Sequence, residues 1–172
     1  MKATKSMLTA TTLSFLLIAS SASVALAQSD KGKAMSEQHR SNVANVVQDL
    51  ISLAGRDQNI GEDVSAVAKE QKASNERETE AMQAVEARGG FKSFLIGTDY
   101  KNIGALRSEI VTTQNSIDRL TKARDRATDD SVKADLTAQI QALQETSSST
   151  LSFIQTNESK FSLFGWFVRL FQ

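Results

Sequence analysis

The spacing of apolar residues from position 43 onward decides the fold. It begins in residues 43–67, which read VANVVQDLISLAGRDQNIGEDVSAV, and steps of three and four residues alternate without a slip as far as Val85. This heptad spacing is typical of helices that pack against partner helices. We call the positions on it the first seam: Val43, Val46, Leu50, Leu53, Asp57, Ile60, Val64, Val67, Gln71, Ser74, Glu78, Ala81 and Val85.

The first seam leaves two interpretations open for residues 37–88. Gly55 and Gly61 each cost about 1 kcal/mol relative to alanine inside a helix. Asn59 followed by Glu62 is also a pattern that can cap a new helix, so the chain could form two helices broken near residues 55–61. The uninterrupted spacing favours the other interpretation, a single helix over residues 37–88 that would be about 75 Å long.

Two further seams predict a helical hairpin after Gly89-Gly90, the residues expected just past the end of a helix. Thr98 provides a cap and Asp99 a first-turn acid for a helix over residues 98–127, and a very short turn separates it from a helix over residues 130–159. A short connection makes neighbouring helices antiparallel. The second seam is Ile103, Leu106, Ile110, Thr113, Ile117, Leu120, Arg124 and Ala127, and the third is Leu136, Ile140, Leu143, Ser147, Thr150 and Ile154.

The predicted fold class is therefore all-α. A long N-terminal helix packs with an antiparallel helical hairpin in a coiled-coil-like bundle over residues 37–160. Gln71, Ser74 and Glu78 place polar side chains at successive positions of the first seam. They either lie exposed at the end of the bundle or mark a place where a second chain packs. A rod longer than the hairpin, at about 75 Å against about 45 Å, favours a homo-oligomer or a protein partner.

The N-terminal segment has the pattern of an export signal. Lys2 and Lys5 form a basic start, residues 8–19 form a modest apolar stretch, and Ala25 and Ala27 frame a small-x-small cleavage site. Residues 1–27 are thus predicted to be a signal peptide, followed by a flexible leader over residues 28–36. The protein is expected in a periplasm or outside the cell. An uncleaved membrane anchor is the alternative, although spanning needs about 20 mostly apolar residues.

Aromatic residues crowd into the C-terminal segment, residues 161–172. The hairpin geometry brings this segment to the same end of the bundle as the short apolar insert over residues 91–97, and we call this end the aromatic pole. The two segments could pack on each other, enter a lipid surface or dock in a groove of another protein. The predicted membrane or partner contacts are Phe91, Phe94, Leu95, Ile96, Phe161, Phe164, Trp166, Phe167, Leu170 and Phe171.

The sequence offers little chemistry for catalysis. It contains no Cys and a single His, His39, which is expected to be solvated, and the only Tyr, Tyr100, is expected to pack at the aromatic pole. No catalytic residue, metal site, cofactor or small-molecule substrate is predicted. Lys and Arg together number 20, as do Asp and Glu, which argues against general nucleic-acid binding.

The predicted function is that of an exported, non-enzymatic interaction or scaffold protein of the cell envelope, which contacts the membrane or a membrane protein through its aromatic pole. Two alternatives stay open. The chain could be a periplasmic holdase-type chaperone that binds unfolded clients, or a purely structural coiled-coil oligomer.

Overall fold

The computed structural model describes residues 21–89 and 97–158, with the backbone alone for residues 21–32. These residues form four helices and no strand. The helices are α1 (Ser21–Ala54), α2 (Gly61–Ala87), α3 (Tyr100–Arg126) and α4 (Asp130–Glu158). The all-α class is confirmed. The backbone is also helical through residues 28–36, where the sequence predicted a flexible leader.

The prediction of one long helix over residues 37–88 is wrong, because the chain turns back between Ala54 and Gly61. Gly61 lies so close to the end of α1 that a Cβ atom there would overlap the Ala54 carbonyl oxygen. Ile60 takes the N-cap position without a side-chain cap, so Asn59 does not cap α2 as the alternative interpretation supposed. Glu62 and Asp63 do supply negative charge to the first turn of α2.

The first seam predicts burial correctly although it does not run along one straight helix. All of its positions are buried, from Val43 at one end to Val85 at the other. Asp57 and Ile60 belong to the turn, and both point inward, so the alternation of three and four residues passes through the turn unbroken. The spacing therefore predicts which residues face the core. It does not predict whether the chain continues straight or turns back.

The four helices pack in a ring in which each helix contacts the next and α4 closes against α1. We call the end of the bundle that holds the α1–α2 turn and the α3–α4 turn the turn end. There Arg56 Nη1 donates to Asp135 Oδ2 at 2.5 Å, and Arg56 Nη2 donates to Ser131 Oγ at 2.8 Å. The larger apolar cluster, the turn-end core, lies towards this end and comprises Val46, Leu50, Leu53, Ile60, Val64, Val67, Ala68, Ile117, Leu120, Ala123, Ala127, Val132, Leu136, Ile140 and Leu143.

A smaller apolar cluster lies towards the opposite end of the bundle. This pole-end core comprises Ala81, Met82, Val85, Ile103, Leu106, Phe153 and Ile154. Here α2 ends, α3 begins and α4 ends. The hairpin begins one residue later than predicted, because Asp99 and not Thr98 takes the N-cap position. The Asp99 carboxylate accepts a hydrogen bond from the Asn102 N–H at 3.3 Å.

The Asp57 carboxylate links the turn between α1 and α2 to the turn between α3 and α4, and its charge should stabilise the fold. It accepts hydrogen bonds from the Thr128 N–H and the Asn59 N–H, both at 2.9 Å, and these hold the pKa of Asp57 below its ordinary value of 3.8. Such a group stabilises the folded state at pH values above the unfolded pKa, and this contribution disappears as the pH falls through the folded pKa.

We expect Asp57→Asn to lower the Tm at about pH 7, and we expect a smaller loss at about pH 2.5, because that pH lies below the unfolded pKa and the wild-type carboxylate contributes less there. Thermal unfolding followed by circular dichroism at both pH values measures the difference. Asp118→Asn removes an exposed carboxylate on α3 and serves as the control, with little change in Tm expected. An equal Tm loss for Asp57→Asn at both pH values would contradict the electrostatic explanation.

Candidate functional site

Buried polar side chains separate the two apolar cores. We call this layer the polar belt, and it comprises His39, Gln71, Ser74, Asn75, Glu78, Glu109, Thr113, Ser116, Thr146 and Thr150. The expectation that Gln71, Ser74 and Glu78 could lie exposed at the end of the bundle is wrong. They lie inside it, and each contacts a residue of another helix of the same chain.

Glu109 is the most highly connected residue of the polar belt. Its carboxylate accepts hydrogen bonds from Ser74 Oγ at 2.7 Å, from Arg77 Nε at 2.6 Å and from Arg77 Nη2 at 2.8 Å. Burial alone would raise the pKa of Glu109, but the hydrogen bonds from Arg77 and Ser74 outweigh it and the pKa is lowered from 4.5. The hydrogen bonds that Arg77 donates to Glu109 raise the pKa of Arg77. Glu109 is therefore held as a buried carboxylate that joins α2 to α3.

His39 is buried rather than solvated, which corrects the expectation from the sequence. Only 3% of the residue is exposed, and its Nε2 atom lies against the Glu78 carboxylate. Its Nδ1 atom has no hydrogen-bond partner among the described residues. The signal that could have found it is the first seam itself. Continued backwards from Val43 by four and then three residues, the same spacing reaches His39 and Ser36, and both are buried.

An open groove of about 700 Å³ lies between the α1 and α4 helices, beside His39. On the side of the groove nearest the turn end the two helices are in contact, because Gln139 Nε2 donates to Asp49 Oδ2 at 3.1 Å. The lining includes two carboxylates and no Lys or Arg. It consists of Ala34, Met35, Gln38, His39, Asn42, Asn45, Val46, Asp49, Ala138, Gln139, Ala142, Glu145, Thr146 and Ser149. This polar groove is a recess that the described residues offer a ligand.

The predicted contact residues of the aromatic pole, Phe91 to Ile96 and Phe161 to Phe171, lie outside the described residues. Their described neighbours do meet, because Gly89, Gly97 and Asn157 line one small cleft at the end of the bundle. Tyr100 is 67% exposed at this end, so the expectation that it packs there is wrong.

Ala25 and Ala27 lie on the helical backbone of α1, and signal cleavage between Ala27 and Gln28 stays a prediction.

Two further observations concern the described residues as a group. None of their helices includes a stretch that is both long enough and apolar enough to cross a membrane. Nor do His, Asp and Glu side chains gather there in a group of three or more that could hold a metal ion. In comparisons with known proteins, no family model, no curated protein and no solved structure matches the chain.

Proposed function

We propose that the protein is an exported, non-enzymatic interaction or scaffold protein of the cell envelope, which contacts the membrane or a membrane protein through its aromatic pole. The observation that carries the proposal is the meeting of Gly89, Gly97 and Asn157 at one end of the bundle. These residues flank the apolar insert over residues 91–97 and precede the aromatic C-terminal segment. Both segments are therefore attached to the same end of a helical body.

The composition of the C-terminal segment supports a contact with the lipid interface. Residues 161–172 include the only Trp and four of the eight Phe of the chain, residue types that suit the boundary between headgroups and acyl chains. Burial of their apolar area, at roughly 25 cal/mol per Å², would drive the contact. The segment is shorter than the roughly 20 residues that span a bilayer, so we propose that it lies on the membrane.

The burial of the seams bears on the alternative of a purely structural coiled-coil oligomer. Seam positions such as Leu50, Val67 and Leu120 are covered within a single chain. The long rod that favoured a second chain is replaced by α1 and α2, folded against each other. Burying the seams therefore needs no partner, and we place the interaction at the aromatic pole instead.

The test is co-sedimentation of residues 28–172 with anionic liposomes, beside a protein that ends at Lys160. We expect the longer protein to bind and the shorter one to stay in the supernatant, because the truncation removes the apolar segment. Tyr100→Ser in the longer protein is the matched control, since it removes an exposed aromatic residue from the same end of the described bundle. That variant should bind as the wild type does.

Binding by both lengths, or by neither, would contradict the membrane contact. Suppression of the aggregation of an unfolded model client, lost with the same truncation, would favour the holdase-type chaperone.

Export has a separate readout. The N-terminus of protein recovered from the envelope or the medium should begin at Gln28, and an intact Met1 would contradict the signal peptide.

A further inference from the structure

The groove between α1 and α4 begins close to the point at which the C-terminal segment leaves the bundle. α4 ends at Glu158, and residues 159–172 continue the chain from there. Gln139 on α4 binds Asp49 on α1, and the helical rise measured from this contact gives the level of other residues on both helices. Towards the pole end, Glu158 is about 29 Å from the contact and Met35, which lines the groove, is about 21 Å from it. The groove therefore begins about 8 Å from the end of α4.

The C-terminal segment is long enough to turn back along the groove. About three residues are enough for a reversal between antiparallel helices, which leaves residues 162–169 to run beside α4. These residues cover about 12 Å as a helix or about 26 Å as an extended strand. Glu145 lines the groove about 20 Å from the end of α4. Arg169 can therefore reach the level of Glu145.

The segment and the groove have opposite charges. Residues 159–172 include Lys160 and Arg169 and no Asp or Glu. The lining of the groove includes Asp49 and Glu145 and no Lys or Arg. A pair between an arginine and a carboxylate is also specific in geometry, because the guanidinium group can donate two parallel hydrogen bonds.

The remaining lining suits a segment that is aromatic but not wholly apolar. Met35, Ala138 and Ala142 offer apolar surface, and Met35 is 41% exposed. Burial of phenylalanine side chains against this surface would favour docking by roughly 25 cal/mol per Å². Trp166 has an indole N–H group that needs an acceptor when buried, and Asn42 lines the groove with a side-chain carbonyl oxygen.

We propose that the C-terminal segment folds back into the groove of its own chain, with Arg169 paired to Glu145, and that contact with a membrane releases it. The groove then shields the aromatic side chains from water until a lipid surface competes for them. The release step rests on the proposed membrane contact, whereas docking in the groove does not.

The first test places a nitroxide at Ser149→Cys, in the groove, on the full chain without lipid. The chain has one Trp and no Cys, so the label and the Trp166 indole N–H resonance are both unique. We expect this resonance to lose most of its intensity in NMR spectra. Asn115→Cys is the matched control, because Asn115 is exposed on α3 one turn before Arg119, which binds Glu70 on α2 across the bundle from the groove. A nitroxide there should leave most of the intensity.

An exchange of charges tests the pairing of Arg169 with Glu145 in the chain labelled at Ser149→Cys. Arg169→Glu should restore the Trp166 intensity, because two carboxylates would then repel each other. Adding Glu145→Arg should reverse the effect and reduce the intensity again. Adding Glu37→Arg instead should not, since Glu37 is an exposed residue of α1 outside the groove.

Anionic liposomes test the release step. A docked segment lowers the apparent affinity for the membrane by the fraction of chains in which it is free. We therefore expect Glu145→Arg to bind at least about threefold more tightly than Glu37→Arg, which has the same net charge. Equal binding of these two variants would contradict the release step. A lack of binding by any variant, with the nitroxide results intact, would contradict the membrane contact and leave the docking in place.

Three results would overturn the docking itself. The first is an unchanged Trp166 resonance with the nitroxide at Ser149→Cys, and the second is an equal loss with the nitroxide at Asn115→Cys. The third is a loss of intensity in an unlabelled chain mixed with a labelled one, because the segment would then dock on a second copy.

Discussion

Gly61→Ala is expected to lower the free energy of unfolding by about 1–3 kcal/mol, the usual cost of forcing an extra methyl group into a packed site. The new Cβ would overlap the Ala54 carbonyl oxygen. That oxygen is a backbone atom at the end of α1, so it cannot move away as a flexible side chain could. Relief requires the turn between α1 and α2 to open. Urea unfolding followed by circular dichroism measures the loss.

Gly104→Ala is the matched control for this prediction, because it adds the same methyl group to another helical glycine. Nothing lies within 4 Å of the Cβ position at Gly104, which is exposed on α3. Alanine there should raise the free energy of unfolding by about 0.5–1 kcal/mol through its higher helix propensity. The two substitutions should therefore have opposite signs. If both stabilise the protein, the close approach of α1 and α2 at Gly61 is not the constraint that we describe.

Arg77→Leu is expected to destabilise the fold by about 2 kcal/mol at neutral pH. The Glu109 side chain is 11% exposed and would keep only the hydrogen bond from Ser74. Removing one partner of a fully buried ion pair costs about 3–5 kcal/mol. We expect less here because the Arg77 side chain is 53% exposed, and water already screens part of the interaction.

The pH dependence of this effect identifies Glu109 as its source. The pKa of Glu109 is lowered in the folded wild type, so its contribution to stability is present above 4.5 and is lost as the pH falls through the folded pKa. Without Arg77, burial raises the pKa of Glu109 instead. The stability difference between Arg77→Leu and the wild type should therefore shrink below about pH 4.5. A difference that stays constant from neutral to acidic pH would contradict this account.

Arg119→Leu provides the control, since Arg119 also forms an ion pair between α2 and α3. Its Nη1 atom lies 2.7 Å from Glu70 Oε2, but the two side chains are 40% and 38% exposed. Exposed pairs contribute about 0–1 kcal/mol, so we expect Arg119→Leu to have less effect than Arg77→Leu. Chemical unfolding of the two variants under the same conditions gives the comparison. Equal losses in the free energy of unfolding would mean that burial of the carboxylate does not determine how much each variant is destabilised.

The inward-facing residues and the hairpin could be predicted from the sequence. The predicted helices over residues 98–127 and 130–159 correspond to Tyr100–Arg126 and Asp130–Glu158. Heptad spacing identifies such elements because it depends only on which side of a helix faces the core. A cap at the start of the hairpin is equally local, and the sequence placed it one residue early, at Thr98 instead of Asp99.

The turn at residues 55–60 could not be predicted with the same rule. Asp57 and Ile60 keep the spacing of the first seam while the chain reverses, so the pattern alone does not distinguish a turn from a continuing helix. What separates them is the approach of Gly61 to Ala54 and the anchoring of Asp57 by Thr128, and both are contacts across the fold. The groove was missed for a related reason, since it depends on how far α1 stands from α4.

The polar belt also restricts how the helices can slide past one another. A bundle with a wholly apolar interior can shift by one heptad and still cover its side chains. Here such slippage of α3 along α2 would move Glu109 from Ser74 to the level of Val67 or Ala81, and its carboxylate would face an apolar core without a donor. Gln71 and Ser116 would lose each other in the same displacement. The polar belt thus favours one register of the helices along the bundle axis, as isolated polar residues do in coiled coils.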